Sequence, residues 1–228
     1  MTSSTPPSHA RPSHHLITPR LILRSGHPHA ATDARPFSLV RSDPLNNPFG
    51  GVVNATLPED EQRRLIEGQA ISTAEGKNAF LNIILKRSSS FPSPSIPYTP
   101  SLDALSVTDG LLIGMSGFNC FPTSPSGDLI GDTGVLIDHR FARKGFAMEA
   151  LEAVIEYGFN ELGCGKMSLE TNAVNEPFRA LMRGMALGDV EEKGTGGGEE
   201  ESVVYVFGRE RWEVAKSALK ERGKWYLE

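Results

Sequence analysis

Cysteine is scarce in this chain: 228 residues carry two, Cys120 and Cys164. Two thiols make no disulfide framework, so a reducing, cytoplasmic setting is the expectation. No apolar run approaches the roughly 20 residues that span a bilayer, and the opening MTSSTPPSHARPSHHL has no apolar core of the kind a signal peptide needs. A membrane partner is therefore not expected. Basic excess is missing too. Lys and Arg number 23 against 28 Asp and Glu, for a net charge of −5. Such a balance gives no steering toward polyanions and argues against nucleic acid as a partner. The phosphate signatures GxxxxGK[ST] and GxGxxG are absent, and LIGMSGF falls one residue short of the GxSxG nucleophile elbow.

What is present is a globular composition, 39% hydrophobic with a mean hydropathy of −0.26, enough to bury a sizeable core. Residues 1–15, rich in Ser, Pro and His, read as a disordered tail, and 16–228 as one domain. His14 and His15 have no Cys or carboxylate neighbours there, so they read as solvated and no metal site is expected. HLITPRLILRS alternates as a first strand. PEDEQRRLIEGQAISTAE begins acidic and reads as a helix ending near Gly76. NAFLNIILKR and LLIGMSGFNCF read as the second and third strands. Between them, about residues 87–107 are too rich in Ser and Pro to sit in a sheet and read as a surface insertion. Its Phe91 and Tyr98 either close over an acceptor or belong to a loose loop. DTGVLIDHRF is the fourth strand. From Ala147, the residues Ala150, Leu151, Val154, Ile155, Gly158, Phe159 and Leu162 recur at helical spacing, leaving Glu149, Glu152 and Glu156 for the surface. KMSLET is the fifth strand. Asn175 caps a short helix with Pro177 in its first turn. After the acidic glycine-rich loop GTGGGEEE come a late strand, SVVYVF, and a closing helix. The order is that of a mixed α/β fold.

The stretch IDHRFARKGFAMEAL, residues 137–151, passes from a strand into a helix through Arg140, Arg143, Lys144 and Gly145. Cations at a helix N-terminus oppose its dipole, so an incoming anion is the expectation. The unpaired N–H groups of a first turn bind phosphate, and glycine lets it approach the main chain.

With these residues in view, GVLIDHRFARKGFAMEALEAVIEYGF resembles the acyl-CoA-binding segment of the GCN5-related N-acetyltransferases (GNAT superfamily), in the ribosomal-protein-alanine acetyltransferase-like branch. Ala142, Gly145 and Ala147 stand at the three marked positions of that family's Gln/Arg-x-x-Gly-x-Gly/Ala turn. TPRLILRS is similar to the branch's opening strand, and SLETNAVNEPFRALMRGMALG to its later strand, asparagine and helix. The likeness covers about residues 16–215. It departs in having Ala142 where Gln or Arg leads, with Arg143 displaced by one position, and MALGDV where Leu-Gly-Phe is usual.

The resemblance implies a mostly antiparallel central sheet flanked by helices, with the fourth and fifth strands splayed apart. It implies acetyl-CoA as cosubstrate, its pantetheine along Val135, Leu136 and Ile137. The pyrophosphate would sit on Ala142, Arg143, Lys144, Gly145, Phe146 and Ala147, with Asn175 and Arg179 as further cofactor contacts. It implies transfer to a primary amine, either a small amine or a protein N-terminus, by a monomer or homodimer. Glu170 is the expected base, acting directly or through water, since the amine must lose a proton before it attacks. At the usual positions of the leaving-group acid stand Met182 and Phe178, which cannot donate; Tyr157, Tyr205, Cys120 and His139 are the alternatives. The rival reading is a non-catalytic acyl-CoA sensor or scaffold on the same fold.

Overall fold

Pro19 divides the first apolar stretch. The single strand expected there is a hairpin of β1 (His15–Ile17) and β2 (Leu21–Arg24), closed by Thr18, whose Oγ1 accepts from the Leu21 amide at 2.9 Å. A computed structural model describes residues 7–27, 31–46, 48–49, 58–87, 101–194 and 201–228. Phe91 and Tyr98 lie outside the described residues, as do most of the Ser/Pro-rich insertion, residues 1–6 and residues 195–200. Helices α1 (Ala31–Ser42) and α2 (Glu59–Ala74) follow, then β3 (Ala79–Lys86), β4 (Ser106–Val107) and β5 (Gly110–Cys120). The expected fourth strand is broken into β6 (Ile130–Thr133) and β7 (Leu136–Ile137), and α3 (Phe146–Asn160) leads to the fifth, β8 (Lys166–Asn172). Helix α4 (Glu176–Gly184), β9 (Glu191–Lys193), β10 (Ser202–Gly208) and α5 (Arg209–Glu221) complete the order.

The sheet runs β1-β2-β3-β5-β6-β8-β10-β9, with β4 and β7 added on β5. Every pairing is antiparallel except that of β6 with β8. Successive strand residues face opposite ways, and both Ile83 and Ile84, and both Leu112 and Ile113, are fully buried. The central strands are therefore covered on both faces, as in the mixed sheet flanked by helices that the sequence implies. Helix α3 lies against β2, β5, β7 and β8, and α1 against β4 and β5. Gly158 permits the close approach of α3, since a Cβ there would lie 2.3 Å from the Met167 methyl.

Four expectations change. Helix α1 was not anticipated, because Pro36 stands inside it and the apolar signal is sparse; Ala34, Phe37 and Val40 nevertheless bury one face. The end of the Ser/Pro-rich stretch joins the core through Leu105 and Val107. His14 is buried, not solvated: its Nδ1 lies 2.8 Å from the Tyr157 hydroxyl, Arg11 Nη1 donates to that hydroxyl, and Ser8 Oγ donates to the Leu162 carbonyl. Burial pushes the imidazole down to about 4, which keeps it neutral in that position. Finally Glu149 and Glu152 are not on the surface; both are fully buried.

Glu152 accepts from the Tyr226 amide at 2.8 Å, which fastens the C-terminal segment across α3. Burial, with Glu149 close by, pushes its carboxyl up from 4.5 to about 7. The folded protein thus holds a proton that the unfolded chain releases at lower pH. The stabilisation is complete at acid pH and is lost as pH rises through about 7. Glu152→Gln retains the acceptor and removes the titration. Denaturant unfolding between about pH 5 and 8 is expected to lose about 2 kcal/mol less stability in the variant than in the wild type; parallel profiles would show that Glu152 does not titrate in this way.

Candidate active site

The fourth strand leaves the fifth partway along. β6 pairs with β8 from Ile130↔Lys166 to Asp132↔Ser168. Leu136 and Ile137 then pair with Met115 and Gly114 of β5, while β8 runs on to Asn172 paired with β10. Gly114 makes this departure possible, since a Cβ there would lie 2.2 Å from the Leu136 carbonyl oxygen. Ser116 Oγ donates to the Gly134 carbonyl at 2.7 Å, and a Cβ on Gly134 would meet nothing within 4 Å. Val135, Leu136 and Ile137 are half-buried along this edge.

Beyond β7 the chain makes a 3-10 turn, His139–Phe141, capped by the buried Asp138. Arg140 does not point at an incoming anion, contrary to the expectation from the cation-rich turn. It forks onto Asp138 and reaches Asp43 at 2.7 Å. Ala142 closes the 3-10 turn. Arg143 is exposed at φ 64°, and Gly145 follows at φ 80° as the N-cap of α3, with no side chain capping the helix. The first-turn amides at Phe146 and Ala147 are thus left without a side-chain acceptor. Gly145 is needed here for a reason other than open access. A Cβ would lie 2.4 Å from the Tyr226 hydroxyl and 3.2 Å from Arg20 Nη2.

Arg20 organises this turn. Its guanidinium lies between the Phe146 ring at 4.6 Å and the Tyr226 ring at 4.8 Å, and Nη1 donates to the Lys144 carbonyl at 2.9 Å. Its Nε donates to Glu149 Oε2, while Glu149 Oε1 accepts from the Arg20 amide at 2.9 Å and from Thr18 Oγ1. Sequence reasoning used TPRL as a landmark but gave Arg20, Glu149 and Tyr226 no role; the available signal was an arginine immediately before the alternating strand.

Two carboxylates share a face where the strands part. Asp132 Oδ1 accepts from Asn119 Nδ2 at 2.8 Å. Burial pushes the Asp132 carboxyl up, the Asn119 hydrogen bond pulls it back, and the charge of Glu170 adds to the rise. Glu170 is exposed and accepts from Ser202 Oγ. A cavity of about 330 Å³ lies between α1, α2, β3 and β5, lined also by Gly134, Val135 and Leu136; of the groups around the two carboxylates it takes in Asn119, the partner of Asp132. Asp132 and Asn119 were missed by sequence reasoning, because a polar pair on a strand looks like a solvated edge until the neighbouring strand departs.

The remaining expected residues are engaged elsewhere in the site or apart from it. Asn175 caps α4, its Oδ1 accepting from the Phe178 amide at 3.2 Å and its Nδ2 donating to Thr171 Oγ1 at 2.8 Å. Arg179 is held in a fork by Glu191, at 2.7 and 3.1 Å. Met182 is buried and Phe178 packs on Tyr205 with ring centroids 6.3 Å apart, so both acid positions are apolar packing. Tyr205 donates to Glu191, and burial together with that carboxylate pushes it up to about 12. Tyr157 is tied to the N-terminal segment and His139 to Asn46. Cys120 is exposed opposite Asp132, its thiol pushed up by burial and by that carboxylate.

The model of the acetyltransferase (GNAT) domain family matches residues 20–186, from Arg20 in the β1–β2 turn to just past the end of α4. The chain belongs to the GNAT acetyltransferases. Acetyl-CoA is the cosubstrate of a GNAT acetyltransferase domain. A stretch of 99 residues is 30% identical to the Aspergillus fumigatus protein named FsC-acetyl coenzyme A-N(2)-transacetylase, spanning 41% of this chain and 42% of that protein. The chain therefore aligns with less than half the length of that curated relative. Among solved structures, Mycobacterium smegmatis RimJ in complex with a CoA disulfide is 14% identical with a TM-score of 0.64, over 97% of this chain and all of that one. The structure titled apo FdhC, a nucleotide-linked sugar GNAT, is 16% identical with a TM-score of 0.64, over 94% and 99% of the two chains. At these identities the likeness is one of fold.

Arg143 at positive φ gives the turn a strained residue where glycine would be relaxed. Arg143→Gly also removes a cation from the dipole's positive end. Thermal unfolding of the unliganded protein is expected to show a gain of about 0.5–1 kcal/mol. No gain would mean that the turn carries no such strain.

Proposed function

We propose that this protein is an N-acetyltransferase that passes the acetyl group of acetyl-CoA to a primary amine, and that its acyl-CoA site runs from the α3 N-terminus to the parting of β6 from β8. The observation that carries the reading is the loss of pairing after Asp132↔Ser168, continuous with an uncapped helix start bearing Arg143 and Lys144. In this reading pyrophosphate rests on the main chain of residues 142–147, where the amides of Gly145, Phe146 and Ala147 and the helix dipole meet its charge. Pantetheine lies along Val135, Leu136 and Ile137, which sets the thioester near Gly134. Asn175 borders the cofactor from α4, and Arg179 takes part only by exchanging Glu191 for phosphate. Two free cysteines fit a cytoplasmic setting.

The chemistry follows from that placement. A neutral amine attacks the thioester carbon, a carboxylate takes its proton, and the C–S bond breaks to release the CoA thiolate. Backbone N–H groups of the departing strand polarise the carbonyl. Glu170 is the base implied by the family likeness. Asp132 competes for the role, because burial raises its carboxyl and makes it a better proton acceptor, and because Asn119, which lines the cavity, holds it by a hydrogen bond. The A. fumigatus relative's name gives an N(2) acceptor, which supports an amine here. The second reading, an acyl-CoA sensor, draws on Met182 and Phe178 at the acid positions; it shares the binding site and differs in releasing no CoA.

Ala147→Glu tests the cradle without opposing the fold, since an acid in the first turn favours the helix dipole. Calorimetric titration is expected to show acetyl-CoA affinity reduced by more than about tenfold while the melting temperature is kept or slightly raised. Unchanged affinity would remove the pyrophosphate from this turn. For the base, Asp132→Asn and Glu170→Gln are to be compared by thiol release with an amine present. The residue that is the base should lose about 10²-fold in kcat, and the loss should shrink as pH rises and the amine deprotonates unaided. Equal, small losses would leave deprotonation to solvent.

A further inference from the structure

The cavity beside the strand parting has one charged side chain in its wall. Arg41, in the last turn of α1, faces it, and no carboxylate lines it among the described residues. The rest of the wall is largely apolar, with Phe37, Phe80 and Met115 among its residues, and carries amides at Gln69, Asn82 and Asn119. Among the described residues the exposed Arg41 guanidinium has no ion pair or hydrogen bond, whereas Arg20, Arg24, Arg140 and Arg179 are all held by carboxylates. A cation in the last turn of a helix is favourable with the dipole whatever it faces. That benefit does not require it to look into a cavity lined by no opposite charge.

Resting on the acetyltransferase reading, we infer that the acceptor is a small primary amine that also carries an anionic group, and that Arg41 receives that group while the amine reaches the wall at Asn119, whose side-chain amide donates to Asp132. About 330 Å³ is at the small end of ligand cavities and suits a metabolite-sized amine better than a folded protein surface. A guanidinium binds a carboxylate or phosphate through paired N–H donors. The amine meets the wall at Asn119, whose Nδ2 donates to Asp132 and whose side-chain oxygen can accept from its N–H groups. A diamine would place its second cation against Arg41 with no carboxylate in the wall to offset the repulsion. The wall between the ends asks for an apolar or amide-bearing spacer.

The test uses acetyl-CoA and a series of amino acids of increasing length, from glycine through β-alanine and γ-aminobutyrate to ε-aminocaproate. Their methyl esters, the matching diamines and aminoalkyl phosphates are run beside them, with CoA release as the readout. At least one acid is expected to exceed its ester by about tenfold in kcat/KM, the size of a partly exposed charge-assisted hydrogen bond. In Arg41→Gln the acid-to-ester ratio should fall toward one, while acetyl-CoA affinity measured by calorimetry stays unchanged. Preference for the phosphates over the acids, abolished by the same variant, would identify phosphate as the anionic group. Binding of the N-acetylated acids and their esters to the enzyme–CoA complex gives the same comparison independently of turnover. Esters or diamines equal to or better than the anionic amines, in turnover and in product binding, would overturn the inference. Acetyl-CoA binding with no such preference counts against this inference alone; no acetyl-CoA binding at all counts against the function on which it rests.

Discussion

The buried carboxylate of Glu149 is the interaction on which the site's geometry depends. It takes donors from Thr18, from the Arg20 amide and from the Arg20 guanidinium, and so ties the β1–β2 turn to the first turn of α3. An ionised carboxylate in a core is tolerated only with its lone pairs occupied and a cation beside it. Here both conditions are met by one short segment. The same arginine then reaches Lys144 and stacks on Phe146 and Tyr226, so the turn into α3 inherits its shape from a hairpin more than a hundred residues earlier. Glu149 also supplies negative charge to the helix N-terminus, which offsets the unfavourable placement of Arg143 and Lys144 against the dipole.

Much of the sheet was legible because its strands obey local rules. The apolar runs of β3, β5 and β10 placed those strands within a residue or two, the alternation at the start found the extended stretch without its hairpin turn, and the helical spacing from Ala147 placed α3. Helix α1 was illegible for a local reason: Pro36 is the usual sign of a boundary, and only tertiary burial of Phe37 and Val40 offsets the lost hydrogen bond. Glu149 and Glu152 were misread for a related reason. Periodicity assigns acids to the exposed face of a helix, and it has no access to donors that arrive from Arg20 and from the C-terminal segment.

The candidate site divides in the same way. The turn from Ala142 to Ala147 announces itself in sequence because glycine and paired cations before a helix are locally costly. The structure adds a non-glycine residue at positive φ and an uncapped helix start to that list. Local choices that each oppose stability, gathered in one turn, are what a binding site looks like before its ligand arrives. Asp132, Asn119 and Arg41 sent no comparable signal. Each is an ordinary polar residue in its own element, and each draws notice only because β7 turns toward β5 and leaves an open edge beside β8.

That open edge bears on the absent acid. Met182 and Phe178 occupy positions where a proton donor would stand, and both serve packing instead. The two proton transfers of amine acetylation differ in difficulty. An amine titrates near about 10.4 and must be deprotonated to attack, whereas a thiol titrates near about 8.5 and leaves as a tolerable anion. A base is therefore the harder requirement, and a donor to sulfur the easier one to leave to water. The chain's distribution of side chains follows that order. In the proposed mechanism the two carboxylates, Asp132 and Glu170, are the groups open to the attacking amine's proton, while Met182 and Phe178 serve packing.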